Sequence, residues 1–229
     1  MKQAPIAKRM LAESIGVFFL VLIGAGSIIA TSSLANGGGS AQLLVIALAH
    51  GVALALAVTA AMAISGGHIN PAVTIGMLVA KRIDIRDAVL YIIAQVIGAM
   101  VAVALLISVF SGTIAYADQY TTPSLAPQIS VMQGIAIEAA ITFLLVFAVF
   151  MTAVNPNAPK MGGFGIGAAL TIGILFAGPF TGAAANPSVA FGPEIVTGNF
   201  TNWYVYWIGP VIGGVLAALI CEYALLRKR

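Results

Sequence analysis

Apolar residues gather into six long stretches, at about 11–30, 42–64, 87–110, 131–153, 164–180 and 203–226. Each is near the roughly 20 residues that a helix needs to cross a bilayer. Polar and helix-breaking segments separate them: Ser32 to Ser40 with three consecutive glycines, Ser111 to Ser130 with two prolines, and Asn155 to Gly163 with two more. Two polar triplets interrupt this pattern, Asn70-Pro71-Ala72 and Asn186-Pro187-Ser188, each after a Gly-containing turn and before a short apolar run. A helix of about ten residues rises roughly 15 Å, half of the roughly 30 Å hydrocarbon thickness, so each run can only dip to mid-membrane. The pattern predicts an all-α membrane protein of six transmembrane helices plus two re-entrant half-helices, in a single domain over residues 1–229.

Composition agrees. With 61% apolar residues, 7% charged residues and a mean hydropathy of +1.07 in 229 residues, the chain lies far from soluble domains, where about 25% of residues are charged. The first stretch follows Lys2, Lys8 and Arg9 but is long for a signal peptide and has Glu13 near its start, so a retained span is expected. The lone Cys221 lies in an apolar run and reads as a small buried hydrophobe.

The ten basic residues set an orientation. Lys2, Lys8 and Arg9 precede the first span; Lys81, Arg82 and Arg86 follow the first short run; Lys160 lies between spans four and five; Arg227, Lys228 and Arg229 end the sequence. With six spans all of these fall on one side, which the positive-inside rule makes cytoplasmic, together with both termini. The two half-helices then enter from opposite faces.

The halves, about 1–118 and 119–229, echo each other. Glu13 opens the first span as Glu138 opens the fourth, and the Asn-Pro turns follow the second and fifth. Tyr91-Ile-Ile-Ala-Gln-Val-Ile-Gly98 in the third parallels Tyr206-Trp-Ile-Gly-Pro-Val-Ile-Gly213 in the sixth. Three spans per copy make the second run inverted, and inverted repeats with interrupted helices place their site at the midplane. Asn is a favoured N-cap and Pro suits the first helical position, so helices should begin at Asn70 and Asn186. Tip to tip, they would present about half a positive elementary charge each, and two carboxamides, to whatever occupies the centre.

These residues resemble a known family. Ser65-Gly-Gly-His-Ile-Asn-Pro-Ala-Val-Thr74 and Thr181-Gly-Ala-Ala-Ala-Asn-Pro-Ser-Val-Ala-Phe-Gly-Pro193 are similar to the two signature loops of the aquaporins, the major intrinsic protein family, and the resemblance spans essentially the whole chain. It implies a passive channel in every subunit of a homotetramer, conducting water and excluding ions and protons, with no cofactor and no nucleic-acid partner. Ser188 stands where Ala is commonest in the family, a small-for-small change. Val189 stands where most members carry an Arg at the outer constriction. Counting from the two asparagines, the other constriction positions fall on His50, Ile174 and Ala183. This set resembles one group of plant tonoplast intrinsic proteins, associated with water plus urea and hydrogen peroxide; ammonia is a further candidate.

Physical argument points the same way. Arg would supply a fixed cation, several donors and bulk; Val supplies none, which leaves His50 as the strong polar side chain of the ring. Glycerol-selective relatives usually carry an Asp where this chain has Ala190, and an apolar pair in place of Tyr206-Trp207, so the resemblance favours the water-type branch over a glycerol facilitator. Glu13 and Glu138, ionisable inside spans, are expected to accept hydrogen bonds from the re-entrant loops. His68 should brace its turn or line the cytoplasmic vestibule. Two histidines 18 residues apart, without a nearby Cys or carboxylate cluster, do not make a metal site. Glu194 reads as a solvated loop charge, and Gly209 and Gly213, four apart, as a close helix contact. A proton-coupled transporter would share the inverted repeat but needs a titratable group at its site, where only His50 is available. An enzyme would need a nucleophile or metal constellation, and the sequence offers neither.

Overall fold

A computed structural model describes residues 4–34, 39–110, 121–159 and 161–226. Lys2, Lys160, Arg227, Lys228, Arg229 and the join between the two halves lie outside the described residues. Among the described residues six helices are long and apolar enough to cross a membrane. In chain order the helices are α1 (Ile6–Leu34), α2 (Ser40–Ser65), α3 (Pro71–Val79), α4 (Ile85–Phe110), α5 (Val131–Val149), α6 (Phe164–Thr181), α7 (Pro187–Thr197) and α8 (Val205–Leu219). The ends of α5 and α8 widen into π-helical turns at Phe150–Val154 and Ile220–Leu226.

Outward faces carry stripes spaced one turn apart, such as Leu11, Ile15, Phe19 and Ile23 on α1, or Val89, Ile93, Ile97 and Val101 on α4, all exposed. A soluble surface does not present contiguous apolar area of this kind; lipid tails cover it without cost. Inside, small residues let backbones approach. A Cβ at Gly98 of α4 would collide with the Ser14 carbonyl of α1, and one at Gly213 of α8 with the Ala139 carbonyl of α5. Gly209 sits equally close: a Cβ added there would lie 2.7 Å from Glu138 Cβ and 2.8 Å from the Ile135 carbonyl oxygen. Ser14 follows Glu13 as Ala139 follows Glu138, so the two crossings are equivalent.

The short helices lock the halves together. α3 packs on α8 and α7 on α4, each against the third long helix of the other half. Gly76 of α3 rests near the Gly214 carbonyl, and Gly192 of α7 against Ala99. Charged residues at one end tie neighbouring elements: Arg9 donates to Asp87 at 2.6 Å, and Arg82 to Glu222 at 2.7 Å. These pairs gather the start of α1, the α3–α4 turn, the start of α4 and the end of α8 on one face. The first pair also explains why α1 and α4 begin before the apolar stretches do, at Ile6 and Ile85: the polar first turn of each stays helical while Arg9 and Asp87 neutralise each other.

Candidate functional site

Both half-helices begin as their capping chemistry dictates. Asn70 and Asn186 are extended N-caps whose side-chain oxygens accept from the Ala72 N–H at 2.8 Å and the Ser188 N–H at 3.1 Å, with Pro71 and Pro187 in the first helical turn. The helices that follow have 9 and 11 residues, about 14 and 17 Å of rise. Ser188 also donates its hydroxyl to Asn186 Oδ1 at 2.7 Å, a bond that Ala could not supply.

The tips meet. Asn70 Nδ2 donates to the Ala185 carbonyl and Asn186 Nδ2 to the Ile69 carbonyl, both at 2.9 Å. Each amide nitrogen carries two hydrogens, so one on each side remains for a passing molecule. The carbonyls are turned into place by left-handed backbone at Ile69 (φ 51°) and Ala185 (φ 49°), with Ala183 (φ 52°) alongside. Such angles are unfavourable by about 1–3 kcal/mol for residues with a Cβ and persist only where the surroundings fix them.

Glu13 and Glu138, both buried, do the fixing. Glu13 accepts from the Ser65 hydroxyl at 2.6 Å, from the His68 and Ile69 backbone N–H groups, and from Gln95 Nε2 at 2.8 Å. Glu138 accepts from the Thr181 hydroxyl at 2.6 Å and from the Ala184 and Ala185 N–H groups at 3.1 and 2.8 Å. Tyr91 and Tyr206 close each arrangement by donating to the Ser65 and Thr181 carbonyls at 2.8 and 2.9 Å. Gln95 has no counterpart in the second half, where Pro210 takes its place. His68 contacts the Thr74 hydroxyl at 3.1 Å and stands edge-on to Tyr91.

Two cavities lead toward this centre. One, of about 350 Å³, is walled by His50, Ala183 and Val189 and reaches both Asn70 and Asn186. The other, of about 640 Å³, is bordered by Arg9, His68 and Arg82. They open at opposite ends of the bundle, since α1 contributes Ile28 to the first and Arg9 to the second, about 28 Å apart along the helix. Ile174, buried one turn before Gly178, does not reach the wall of the first cavity, whereas Gly178 does. His50 Nδ1 lies 2.9 Å from the Ile46 carbonyl. A carbonyl only accepts, so this bond puts the ring proton on Nδ1 and leaves Nε2 as an acceptor in the neutral ring.

Glu194 departs from its sequence-based expectation. It is not a solvated loop charge: it lies within α7, wholly buried, and neither carboxylate oxygen has a hydrogen-bond partner among the described residues. The reason is helical phase. It follows Ala190 by one turn, on the face that packs against Val205 and Tyr206 of α8. The left-handed turns at Ile69 and Ala185 are likewise invisible in the sequence, because no residue type there signals them.

Comparison with known proteins places this geometry. The chain is 40% identical over 225 residues to aquaporin TIP4-4 of Zea mays, covering 96% of this chain and 87% of that protein. It is 43% identical over 225 residues to the probable aquaporin TIP2-1 of Oryza sativa subsp. japonica, covering 95% and 87%. The fold superimposes on the aquaglyceroporin of Plasmodium falciparum with a TM-score of 0.83 at 22% identity, over 96% of this chain and 97% of the other. The profile of the major intrinsic protein family matches residues 1–221. Six apolar helices, paired capped half-helices and these likenesses converge: the chain belongs to the major intrinsic protein family, the aquaporins, and is a membrane channel for water, not an enzyme.

Proposed function

We propose that the channel passes small neutral solutes, urea, hydrogen peroxide and ammonia, as well as water, and that it excludes ions and protons. The observation that carries this is Val189 in the wall of the outer cavity, with no Lys or Arg among the described residues that line it. A solute entering the site sheds water and must recover hydrogen bonds from the wall. His50, the loop carbonyls and the free hydrogens of Asn70 and Asn186 supply them, while His50, Ala183 and Val189 set the width and Ile174 backs the wall at Gly178. Ion exclusion rests on the facing N-termini of α3 and α7, which oppose cations, and on the loss of an ion's hydration. Glu13, Glu138 and His68 hold the loops. The assembly is a homotetramer with a path in each subunit, built from inverted repeats of about 1–118 and 119–229, and both termini face the cytoplasm.

Permeability of proteoliposomes tests the solute range. Val189→Arg restores a cation and bulk to the constriction, and urea and peroxide flux should fall roughly tenfold or more relative to water, the scale on which a snug site discriminates. A proportional fall of all three fluxes would overturn the role given to this position. A glycerol facilitator predicts glycerol flux comparable with that of urea, and a proton-coupled transporter predicts flux that collapses without a proton gradient.

A further inference from the structure

The His50 ring ends against α1. If Gly24 carried a Cβ, that carbon would collide with ring atoms Nε2 and Cδ2, and even Cε1 would lie only 2.8 Å away. Carbon contacts settle near 3.5 Å. The opposite side of the imidazole is tied to its own helix through Nδ1 and the Ile46 carbonyl at 2.9 Å. The ring is therefore held between a helix carbonyl and Gly24, and fills the space that a methyl group there would take. Val21, Ala25 and Ile28, which flank Gly24 on α1, line the outer cavity together with His50.

We propose that Gly24 is a specificity-positioning residue, the seat that holds the His50 imidazole back against α1 and so sets the width and polarity of the outer constriction. The inference rests on the reading of His50 as a constriction residue. A methyl group at Gly24 drives the ring back by about an ångström. Because the imidazole is rigid, that retreat needs rotation about its side-chain torsions, which breaks the Ile46 bond and swings the ring into the cavity shared with Val189 and Ala183. A shift of this size separates water from a solute as broad as urea. Helix propensity does not oppose the substitution, since Ala favours a helix over Gly by about 1 kcal/mol.

Water and urea permeability of proteoliposomes holding the parent protein, Gly24→Ala, His50→Ala and the double variant decides the matter. Gly24→Ala should lower the urea-to-water ratio roughly tenfold, at the lower end of what one methyl group does in a snug site. His50→Ala should raise the ratio, and the double variant should match His50→Ala because no ring is left to displace. If His50→Ala leaves the ratio unchanged, the constriction reading itself fails and takes this inference with it. If His50→Ala raises the ratio while Gly24→Ala does not lower it, the seat alone is overturned. A double variant as impaired as Gly24→Ala would show that the methyl group distorts the α1–α2 contact, and also overturns the seat. Should Gly24→Ala fail to fold, recovery of folded protein in the double variant supports the contact and lack of recovery refutes it.

Discussion

Three buried glutamates of one chemistry hold three different positions in this protein. Glu13 and Glu138 each collect a hydroxyl and two backbone N–H groups from a re-entrant loop, whereas Glu194 collects none among the described residues. Removing an acceptor strands the donors, at about 1–3 kcal/mol for each buried one. Glu138→Ala should therefore lower the thermal unfolding midpoint in detergent sharply, with a loss of about 3 kcal/mol or more. Glu194→Gln replaces an unpartnered buried carboxyl without removing a bond, so its midpoint should stay level or rise; a drop as large as that of Glu138→Ala would mean that Glu194 has a partner after all. The paired Glu13 and Glu138 were legible in the sequence because they sit at matched points of two similar segments. The burial of Glu194 was not, since its place depends on how α7 is rotated against α8. Nor was the left-handed Ile69 legible, a β-branched residue in a conformation that its type avoids.

Between elements, contact distance is set by residues that lack a side chain. The Gly98 and Gly213 positions bring α4 onto α1 and α8 onto α5 closely enough that a Cβ would meet a backbone carbonyl. Backbone cannot give way as the end of a flexible side chain can, so Gly213→Val should separate α5 from α8 and abolish monodisperse folded protein on size-exclusion chromatography. Gly39, where an added Cβ would find nothing within 4 Å and the backbone is extended at φ −169°, should accept Ala without change in the same assay. The six long elements could be read from apolar run length and the two short ones from the Asn-Pro turns before their brief apolar runs, because a bilayer imposes a length that water does not. Helix starts were less legible, as the Arg9–Asp87 pair at α1 and α4 shows: a charged turn remains helical when a neighbouring helix supplies the counter-charge, and that neighbour is remote in sequence.

Across the whole molecule, two helices aimed at each other make mid-membrane electropositive. The tips carry no formal charge, only aligned peptide dipoles worth about half an elementary charge each and amide hydrogens. Asn186→Asp would place a carboxylate at the meeting point and break the bond to the Ile69 carbonyl. Cation conductance in planar bilayers should rise above that of the parent, and an unchanged conductance would refute the dipole account of ion rejection. The sequence by itself determined that this chain lives in a membrane, how many helices cross it and where two stop half-way, because hydrophobic length and Asn-Pro capping are local properties. Only the tertiary structure decided that the two tips share reciprocal amide bonds, that Gly24 makes room for His50, and that Glu194 turns inward. Each of these depends on the distance and rotation between segments far apart in the chain, which are fixed by packing against partners that no local pattern names.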